Sequence, residues 1–184
     1  MRIITGSAKG AKLLTLEGLN TRPTAERTKE AVFSKLQFDL EGRSVLDLFA
    51  GSGQMGLEAL SRGAAEAVLC DKSKDAIAII TKNAEKTRLK DKSMILCADY
   101  ADCLVRMASL GKRFDIVFLD PPYASDMLSD ALRLLCEKKL LKAGSLVVCE
   151  SADADFAVPP ALEPVKQTKY GIARVTILEC KKEM

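Results

Sequence analysis

The sequence predicts an α/β fold built on a doubly wound, mostly parallel sheet of seven strands. From residue 43 onward, short apolar runs alternate with segments of helical periodicity, as parallel strands joined by helices require. These runs are almost continuously apolar, which indicates strands buried on both faces. At 184 residues, 48% of them hydrophobic, the chain is long enough to bury a sizeable core.

A basic extension precedes the alternating region. We place a domain boundary between residues 1–42, the extension, and residues 43–184, the main domain. Two short runs flank a turn rich in Gly and Lys and predict a small hairpin, over residues 2–5 and 12–16. A helix is predicted over residues 25–38, because Thr24 is a suitable N-cap and an apolar stripe follows it.

The main domain supplies the rest of the elements in order. Five apolar runs predict the parallel strands, at residues 44–49, 67–70, 93–97, 114–119 and 145–149. Four periodic segments between them predict helices, at residues 54–62, 74–87, 101–110 and 127–137. Gly63 stands where a left-handed C-cap residue is expected, and Ser73 is a suitable N-cap. Two further runs meet at Gly171 and predict antiparallel edge strands, at residues 164–170 and 172–180.

The composition excludes several kinds of chemistry. The sequence contains no histidine, which excludes His-based acid–base catalysis, Ser-His triads and His-ligated metals, so we expect no metal. The six cysteines are scattered and mostly lie in apolar runs, which indicates reduced core residues. Mean hydropathy is +0.04, and there is neither a long apolar run nor a secretory signal. We therefore expect a soluble, cytoplasmic protein without membrane contact.

A glycine-rich loop follows the first predicted strand. Its glycines match the G-x-G-x-x-G pattern of dinucleotide sites, at Gly51, Gly53 and Gly56. Asp71, at the end of the second strand, stands where a ribose-binding acid is expected. S-adenosylmethionine (SAM) suits the same pattern, and Asp47 favours it, since a carboxylate there repels a pyrophosphate but attracts a sulfonium and an ammonium. Alternatively, Asp47 caps the turn or forms a local salt bridge.

Another acid, Asp99, follows the third strand. The carboxyl ends of successive parallel strands line one crevice, so we expect Asp47, Asp71 and Asp99 to converge on a ligand there. Asp99 is placed to accept a hydrogen bond from an adenine amino group, with Tyr100 beside the ring. A role for Asp99 as the N-cap of the next helix is equally compatible with the sequence.

The fourth strand ends in a stiff turn, Asp120-Pro121-Pro122-Tyr123. Two prolines remove two N–H donors, so the turn presents hydrogen-bond acceptors only. The Asp120 carboxylate and the Pro121 carbonyl can accept both hydrogens of one amino group, while Tyr123 offers a ring for stacking. This arrangement favours attack of an aromatic amine on a methyl group, and it implies a flipped-out or single-stranded base. The alternative is a rigid strand-end turn with a buried tyrosine.

These stretches together resemble the RsmD family of class I SAM-dependent methyltransferases, which have a Rossmann-like fold. The resemblance rests on residues 1–6, 22–24, 29–33, 46–53, 56–64 and 114–123. It implies SAM as the cofactor and methylation of the N2 amine of a guanine in 16S ribosomal RNA. It further implies an assembled or partly assembled small ribosomal subunit as the partner.

The predicted site residues form three groups. The cofactor-binding group comprises Asp47, Phe49, Ala50, Gly51, Ser52, Gly53, Asp71, Lys72, Asp99 and Tyr100. The catalytic group comprises Asp120, Pro121 and Tyr123. The RNA-binding group comprises Arg2, Lys9, Lys12, Arg22 and Arg27. The last group is what the resemblance implies, since the family's N-terminal extension is thought to approach RNA. The charge of residues 1–36, seven Lys or Arg against three Glu, also favours contact with a polyanion, although a solvated helix face is an alternative.

Other functions remain open at this point. The same pocket could methylate another amine, such as adenine N6 in DNA or a glutamine side chain of a protein. A ribosome assembly factor that binds SAM without catalysis is a non-enzymatic alternative. Small departures from the family pattern, Gln54-Met55 in the glycine loop and Asp71 in place of glutamate, bear on cofactor affinity. We expect the protein to be a monomer.

Overall fold

The structure is a computed structural model that describes residues 1–16, 23–36, 40–122, 125–152, 156–171 and 173–182. Within these ranges the chain forms five α-helices, seven β-strands and a short 3-10 helix before the third strand. In chain order the helices and strands are α1 (Pro23–Leu36), β1 (Ser44–Asp47), α2 (Gln54–Ser61), β2 (Glu66–Asp71), α3 (Lys74–Lys86), β3 (Ser93–Cys97), α4 (Tyr100–Ser109), β4 (Phe114–Leu119), α5 (Ser125–Glu137), β5 (Leu141–Ser151), β6 (Leu162–Tyr170) and β7 (Ala173–Cys180).

The seven strands form one sheet in the order β3-β2-β1-β4-β5-β7-β6. Strands β1 to β5 pair in parallel, whereas β7 runs antiparallel to both β5 and β6. The predicted mostly parallel α/β sheet is thereby confirmed. Chain order reverses direction between β1 and β4, and such a switch point is where an α/β sheet opens a ligand crevice.

Two hydrophobic cores cover the faces of the sheet. One contains side chains from α1, α2 and α3, among them Phe33, Leu57 and Ile80. The other contains side chains from α4 and α5, among them Leu104 and Leu132. Because side chains alternate along a strand, each central strand contributes to both cores. This is the doubly wound arrangement that the sequence predicts.

The paired arms of the N-terminal hairpin are shorter than predicted. Its two arms share one isolated antiparallel bridge, between Arg2 and Lys12. Backbone hydrogen bonds also join the arms, and donors of the turn bond to α2. The Ser7 N–H donates to the Ser61 carbonyl (2.8 Å), and the Ala8 N–H donates to the Ser61 hydroxyl (3.0 Å). The extension therefore packs along α2 rather than forming a free-standing hairpin.

A buried glutamate of α2 anchors this extension. The Glu58 carboxylate accepts hydrogen bonds from the Ile4 N–H (2.7 Å) and the Thr5 N–H (3.0 Å). It also forms salt bridges with Lys29 of α1 (3.4 Å) and with Arg62 (2.8 Å). The side chains of Glu58 and Lys29 are almost completely buried. Glu58 thus joins the hairpin, α1 and α2 at one point.

Strand β5 is longer than the sequence predicts. We expect residues 145–149, but the strand spans Leu141–Ser151. Gly144 interrupts the apolar pattern without ending the strand, because Leu141 still pairs with Phe114 of β4. At the other end, β7 pairs with β5 as far as Ser151. The other predicted elements differ by at most two residues at their ends. Predicted residues 37, 38 and 172 lie outside the described residues.

Two predicted helix caps are confirmed. Gly63 follows α2 with φ of 108°, a conformation that glycine adopts without a Cβ penalty. The Ser73 side chain accepts a hydrogen bond from the Ala76 N–H (3.3 Å) at the start of α3. These caps fix where α2 ends and where α3 begins.

The cysteines follow the prediction with one correction. All six are free, and four of them are buried, namely Cys70, Cys103, Cys149 and Cys180. Cys97 is exposed, contrary to its predicted core position. The reason is that β3 lies at the edge of the sheet and buries only part of its surface, so this strand is not covered on both faces.

Asp115 joins the amino end of β4 to its neighbours. Its carboxylate accepts hydrogen bonds from the Ser44 N–H (2.9 Å), Lys142 Nζ (2.6 Å) and Arg43 Nη1 (3.1 Å). Burial raises the pKa of Asp115, but the hydrogen bonds from Lys142, Ser44 and Arg43 outweigh burial and lower the pKa to about 2. The charged carboxylate therefore stabilises the folded state.

We expect Asp115→Asn to lower the free energy of unfolding by about 2 kcal/mol at pH 7. Because the folded pKa lies below the unfolded value, this contribution is complete above about pH 4 and is lost as the pH falls through about 2. Urea unfolding of both proteins between pH 2 and pH 7 measures the difference. Asp91→Asn, at an exposed position, is the control; equal losses in the two variants would contradict the prediction.

Candidate active site

Acidic residues stand at the carboxyl ends of all five parallel strands. Asp47 and Asp71 are the last residues of β1 and β2, and Asp120 directly follows β4. Asp99 lies just beyond β3, and Glu150 is the penultimate residue of β5. We refer to these five residues as the carboxylate row. Sequence reasoning missed Glu150, although it ends an apolar run as Asp120 does.

Four members of the carboxylate row share one face of the sheet. Side chains of Val45, Leu69, Phe118 and Val148 lie in the core covered by α1, α2 and α3. Each precedes an acid of β1, β2, β4 or β5 by two residues, and side chains two apart along a strand point the same way. The four acids therefore face the crevice from the side of α2 and α3.

Asp47 lies deepest in the row. Its Oδ2 accepts a hydrogen bond from the Gly56 N–H (3.0 Å), and the residue is 4% exposed. Burial raises the pKa of Asp47 to about 7; the nearby charges of Asp120 and Asp71 add to this effect and the Gly56 hydrogen bond opposes it. Asp47 thus caps the turn, which is the alternative role that the sequence offers for it. A cation bound nearby would favour the ionised form of its carboxyl.

Asp71 holds the glycine loop in place. Its Oδ2 accepts from the Gly51 N–H (2.9 Å), and its Oδ1 accepts from the Ser73 N–H (2.9 Å). Gly51 has φ of 56°, and a Cβ built there would meet nothing within 4 Å. At Gly56, by contrast, a Cβ would lie 2.1 Å from Leu69 Cδ2. The loop therefore leaves open space at Gly51 and brings α2 close to β2 at Gly56.

An aromatic pair lies beside Asp99. The Phe49 and Tyr100 ring centroids are 5.6 Å apart, with the planes tilted by 38°. The Tyr100 hydroxyl donates to Asp130 Oδ2 (3.0 Å), which anchors the ring. Asp99 accepts from the Ala101 N–H (3.0 Å) and so acts as the N-cap of α4.

The remaining predicted cofactor residues occupy the same loop and strand end. Ala50 and Gly53 are buried, Ser52 is half-buried, and Lys72 is exposed after β2. Asp120 is exposed at the crevice, yet the surrounding protein raises its pKa to about 6 by desolvation. The carboxylate can therefore ionise at neutral pH.

The other predicted residues are distributed as follows. Pro121 is half-buried next to Asp120, and Tyr123 lies outside the described residues. Among the predicted RNA-binding residues, three are exposed on the extension, namely Arg2, Lys9 and Lys12. Arg27 belongs to α1, and Arg22 lies outside the described residues.

Asn83 of α3 links the extension to the glycine loop. Its Oδ1 accepts from the Leu14 N–H (2.8 Å), and its Nδ2 donates to the carbonyls of Leu14 (3.0 Å) and Ser52 (2.9 Å). The side chain is completely buried. Sequence reasoning missed this residue, because a single asparagine within a helix gives no pattern that points to partners so distant in sequence.

We expect Asn83→Ala to lower the free energy of unfolding by about 2 kcal/mol, since three backbone groups lose a partner. The loosened loop should also weaken SAM binding several-fold. Thermal melting and calorimetric titration with SAM measure the two effects. Asn83→Asp, which keeps an acceptor for Leu14 but loses the amide donor, should weaken binding as well; unchanged affinity in both variants would contradict the prediction.

The chemistry of the site fits SAM. Among the described residues, no Lys or Arg forms a salt bridge with a member of the carboxylate row. Uncompensated carboxylates beside open space favour a cationic ligand, and SAM carries a sulfonium, an ammonium, a ribose diol and an adenine ring. Asp47 suits the cationic part, Asp71 the diol, and the Phe49–Tyr100 pair the ring.

Other kinds of site are not evident in the described ranges. These residues contain no group of three or more His, Cys, Asp or Glu side chains placed to hold a metal ion. They also contain no helix long and apolar enough to cross a membrane. A groove of about 440 Å³ lies at the end of the sheet opposite the carboxylate row. None of its lining residues is a predicted site residue; they are Thr5, Gly6, Glu41, Ser61, Arg62 and Gly63.

Comparisons with known proteins agree with this geometry. The family model described as "Conserved hypothetical protein 95" matches residues 1–179. YlbH of Bacillus subtilis (strain 168) is 34% identical over 180 residues, which is 96% of this chain and 97% of that protein. Ribosomal RNA small subunit methyltransferase D of Haemophilus influenzae is 32% identical, over 94% of this chain and 90% of that protein.

A solved structure shows the same architecture. The structure of yhhF from Escherichia coli matches with a TM-score of 0.89 and 30% sequence identity, covering 98% of both chains. The family match spans nearly the whole chain, and both relatives exceed 30% identity. The chain therefore belongs to the "Conserved hypothetical protein 95" family, which is the RsmD family, and is a SAM-dependent methyltransferase.

Proposed function

We propose that this protein transfers a methyl group from SAM to the exocyclic N2 amine of a guanine in 16S ribosomal RNA. The observation that carries the proposal is the position of Asp120-Pro121, which follows β4 at the switch point of the sheet and brings Asp120 into the carboxylate row. Relatives named ribosomal RNA small subunit methyltransferase D, 32% identical, support the choice of substrate.

The catalytic role of the turn follows from its acceptors. An exocyclic amine is a poor nucleophile because its lone pair is delocalised into the base. The Asp120 carboxylate accepts one amine hydrogen and the Pro121 carbonyl accepts the other, which favours the pyramidal amine and exposes the lone pair. When bound, SAM supplies a methyl carbon whose bond to sulfur breaks as the N–C bond forms, leaving S-adenosylhomocysteine. The proton that the amine then loses passes to Asp120 or to water.

The cofactor and the RNA approach the crevice from different elements. In our proposal Asp47, Asp71 and the glycine loop hold SAM, while Tyr123 stacks on the target base. Residues 1–42, as a separate basic extension, contact RNA phosphates through Arg2, Lys9, Lys12, Arg22 and Arg27. Weak phosphate contacts would leave selectivity to the shape of an assembled or partly assembled small subunit. We propose that the enzyme acts there as a monomer, in the cytoplasm.

Transfer of tritium from labelled SAM to small subunits that lack the modification tests this function. We expect label in 16S RNA and, after digestion to nucleosides, in N2-methylguanosine. Folded protein that binds SAM but labels nothing would overturn the proposal and favour a non-catalytic assembly factor. Label in N6-methyladenine or in a protein glutamine would identify the alternative amine substrates.

A further inference from the structure

Asp120 and Glu150 are neighbours across two parallel strands. Leu119 of β4 lies in register with Cys149 of β5, and Asp120 and Glu150 are the residues that follow them in sequence. Adjacent strands run about 4.8 Å apart. Phe118 and Val148, two residues before each acid, share one core, so both carboxylates point to the same face. The structure thus places two carboxylates side by side at the crevice.

Neither carboxylate is used to hold the fold together. Among the described residues, no group donates a hydrogen bond to the Asp120 or Glu150 side chain, and no Lys or Arg forms a salt bridge with either. Asp115, at the other end of β4, shows what a structural carboxylate looks like here, with three partners. Asp120 and Glu150 are therefore free to accept hydrogen bonds from a ligand.

The electrostatics of the pair agree with this geometry. Burial raises the pKa of Glu150 to about 7, and the charge of Asp120 adds to the shift. Two close carboxylates without cationic partners repel each other, and the repulsion falls when donors approach both. A ligand that brings two adjacent N–H donors suits the pair better than a ligand that brings one.

Guanine has such a pair of donors. Its N1–H lies next to the N2 amine on the Watson–Crick edge, whereas adenine presents an unprotonated N1 next to its amine. An acceptor placed beside the amine site therefore bonds to guanine and repels the N1 lone pair of adenine. A buried polar group left without a hydrogen-bond partner is costly, so the discrimination between guanine and adenine should be strong.

We infer that Glu150 is a specificity residue that accepts the N1–H of the target guanine while Asp120 accepts an N2 hydrogen. This inference rests on the proposed function and extends it, because it assigns the choice of base to a residue outside the Asp-Pro-Pro-Tyr turn. Selection of guanine then resides in the paired ends of β4 and β5, whereas activation of the amine resides in the turn.

A base analogue tests the assignment directly. 2-Aminopurine keeps the amine but has an unprotonated N1, so it lacks the donor that Glu150 is inferred to bind. Small subunits are reconstituted with either guanine or 2-aminopurine at the mapped target position, and kcat/KM is measured on each. We expect the wild-type protein to prefer guanine by about 100-fold.

Variants separate base selection from base reactivity. In Glu150→Gln the amide can donate to the unprotonated N1, so the guanine preference should fall at least about 10-fold. Glu150→Ala should also reduce the preference, because it slows the reaction with guanine but not the reaction with 2-aminopurine. Glu163→Gln makes the same change at an exposed site at the opposite end of the sheet and should leave the preference as in the wild type.

The outcomes distinguish this inference from the proposed function. Failure of the wild-type protein to methylate guanine subunits overturns the function itself. Normal wild-type methylation, with the same guanine preference in both Glu150 variants, overturns the role of Glu150. SAM affinity and melting temperature establish that each variant is folded, and either variant alone suffices for the comparison.

Discussion

Replacing Asp120 with alanine is expected to lower kcat by about 1,000-fold while SAM affinity stays nearly unchanged. In our proposal the carboxylate contacts the amine in the transition state, whereas the glycine loop, which Asp71 holds through the Gly51 N–H, binds the cofactor without it. Removing an interaction made only in the transition state lowers kcat rather than raising the dissociation constant of SAM. Single-turnover methylation of small subunits and calorimetric titration with SAM measure the two quantities.

Asp120→Asn is the matched control for this prediction. The amide keeps a carbonyl acceptor of similar size but loses the negative charge, so its rate should lie between the alanine variant and the wild type. A stronger effect from asparagine than from alanine would show that the acceptor is not what matters. Normal methylation by Asp120→Ala would remove the role assigned to the turn.

Replacing Glu58 with alanine should have the largest effect on stability, a loss of about 3–5 kcal/mol. The substitution takes the carboxylate away from the buried Lys29 ammonium and from two N–H groups of the extension. Taking a close negative charge away from a buried ammonium is costly, so the hairpin and α1 should detach before the sheet unfolds. Hydrogen exchange of the Ile4 and Thr5 amides, together with urea unfolding, measures both effects.

The control for Glu58 is Glu85→Ala, which removes an exposed glutamate from α3. That variant should change the free energy of unfolding by less than about 0.5 kcal/mol. Comparable losses in the two variants would mean that the buried network contributes no more than a surface charge does. Intact protection of Ile4 and Thr5 in Glu58→Ala would likewise contradict the anchoring role.

Patterns local in sequence predict much of this molecule. The parallel strands follow from apolar runs, and Ser73 and Gly63 follow from the chemistry of helix ends. Asp71 and Asp120 are visible because each directly follows such a run, and Asp47 is visible because it precedes the glycine loop. Strand order and parallel pairing then bring them to one edge.

Contacts between distant segments could not be predicted in the same way. Asn83 bonds to Leu14, which lies 69 positions away, and no periodicity marks that pairing. Glu150 lies beside Asp120 because of the register between β4 and β5, and it also pairs with β7. Both relations depend on β5 extending beyond its apolar run, so no local pattern predicts them. Cys97 is exposed because β3 is an edge strand, and the order of strands is a property of the whole sheet.

The outer strand β6 presents an exposed edge of the sheet to neighbouring molecules. Its free edge includes Pro164, which has no N–H to offer, and the exposed side chains of Lys166 and Lys169. A second copy approaching this edge would bring lysines against lysines and find an incomplete set of donors. This edge therefore disfavours pairing with a strand of a second copy.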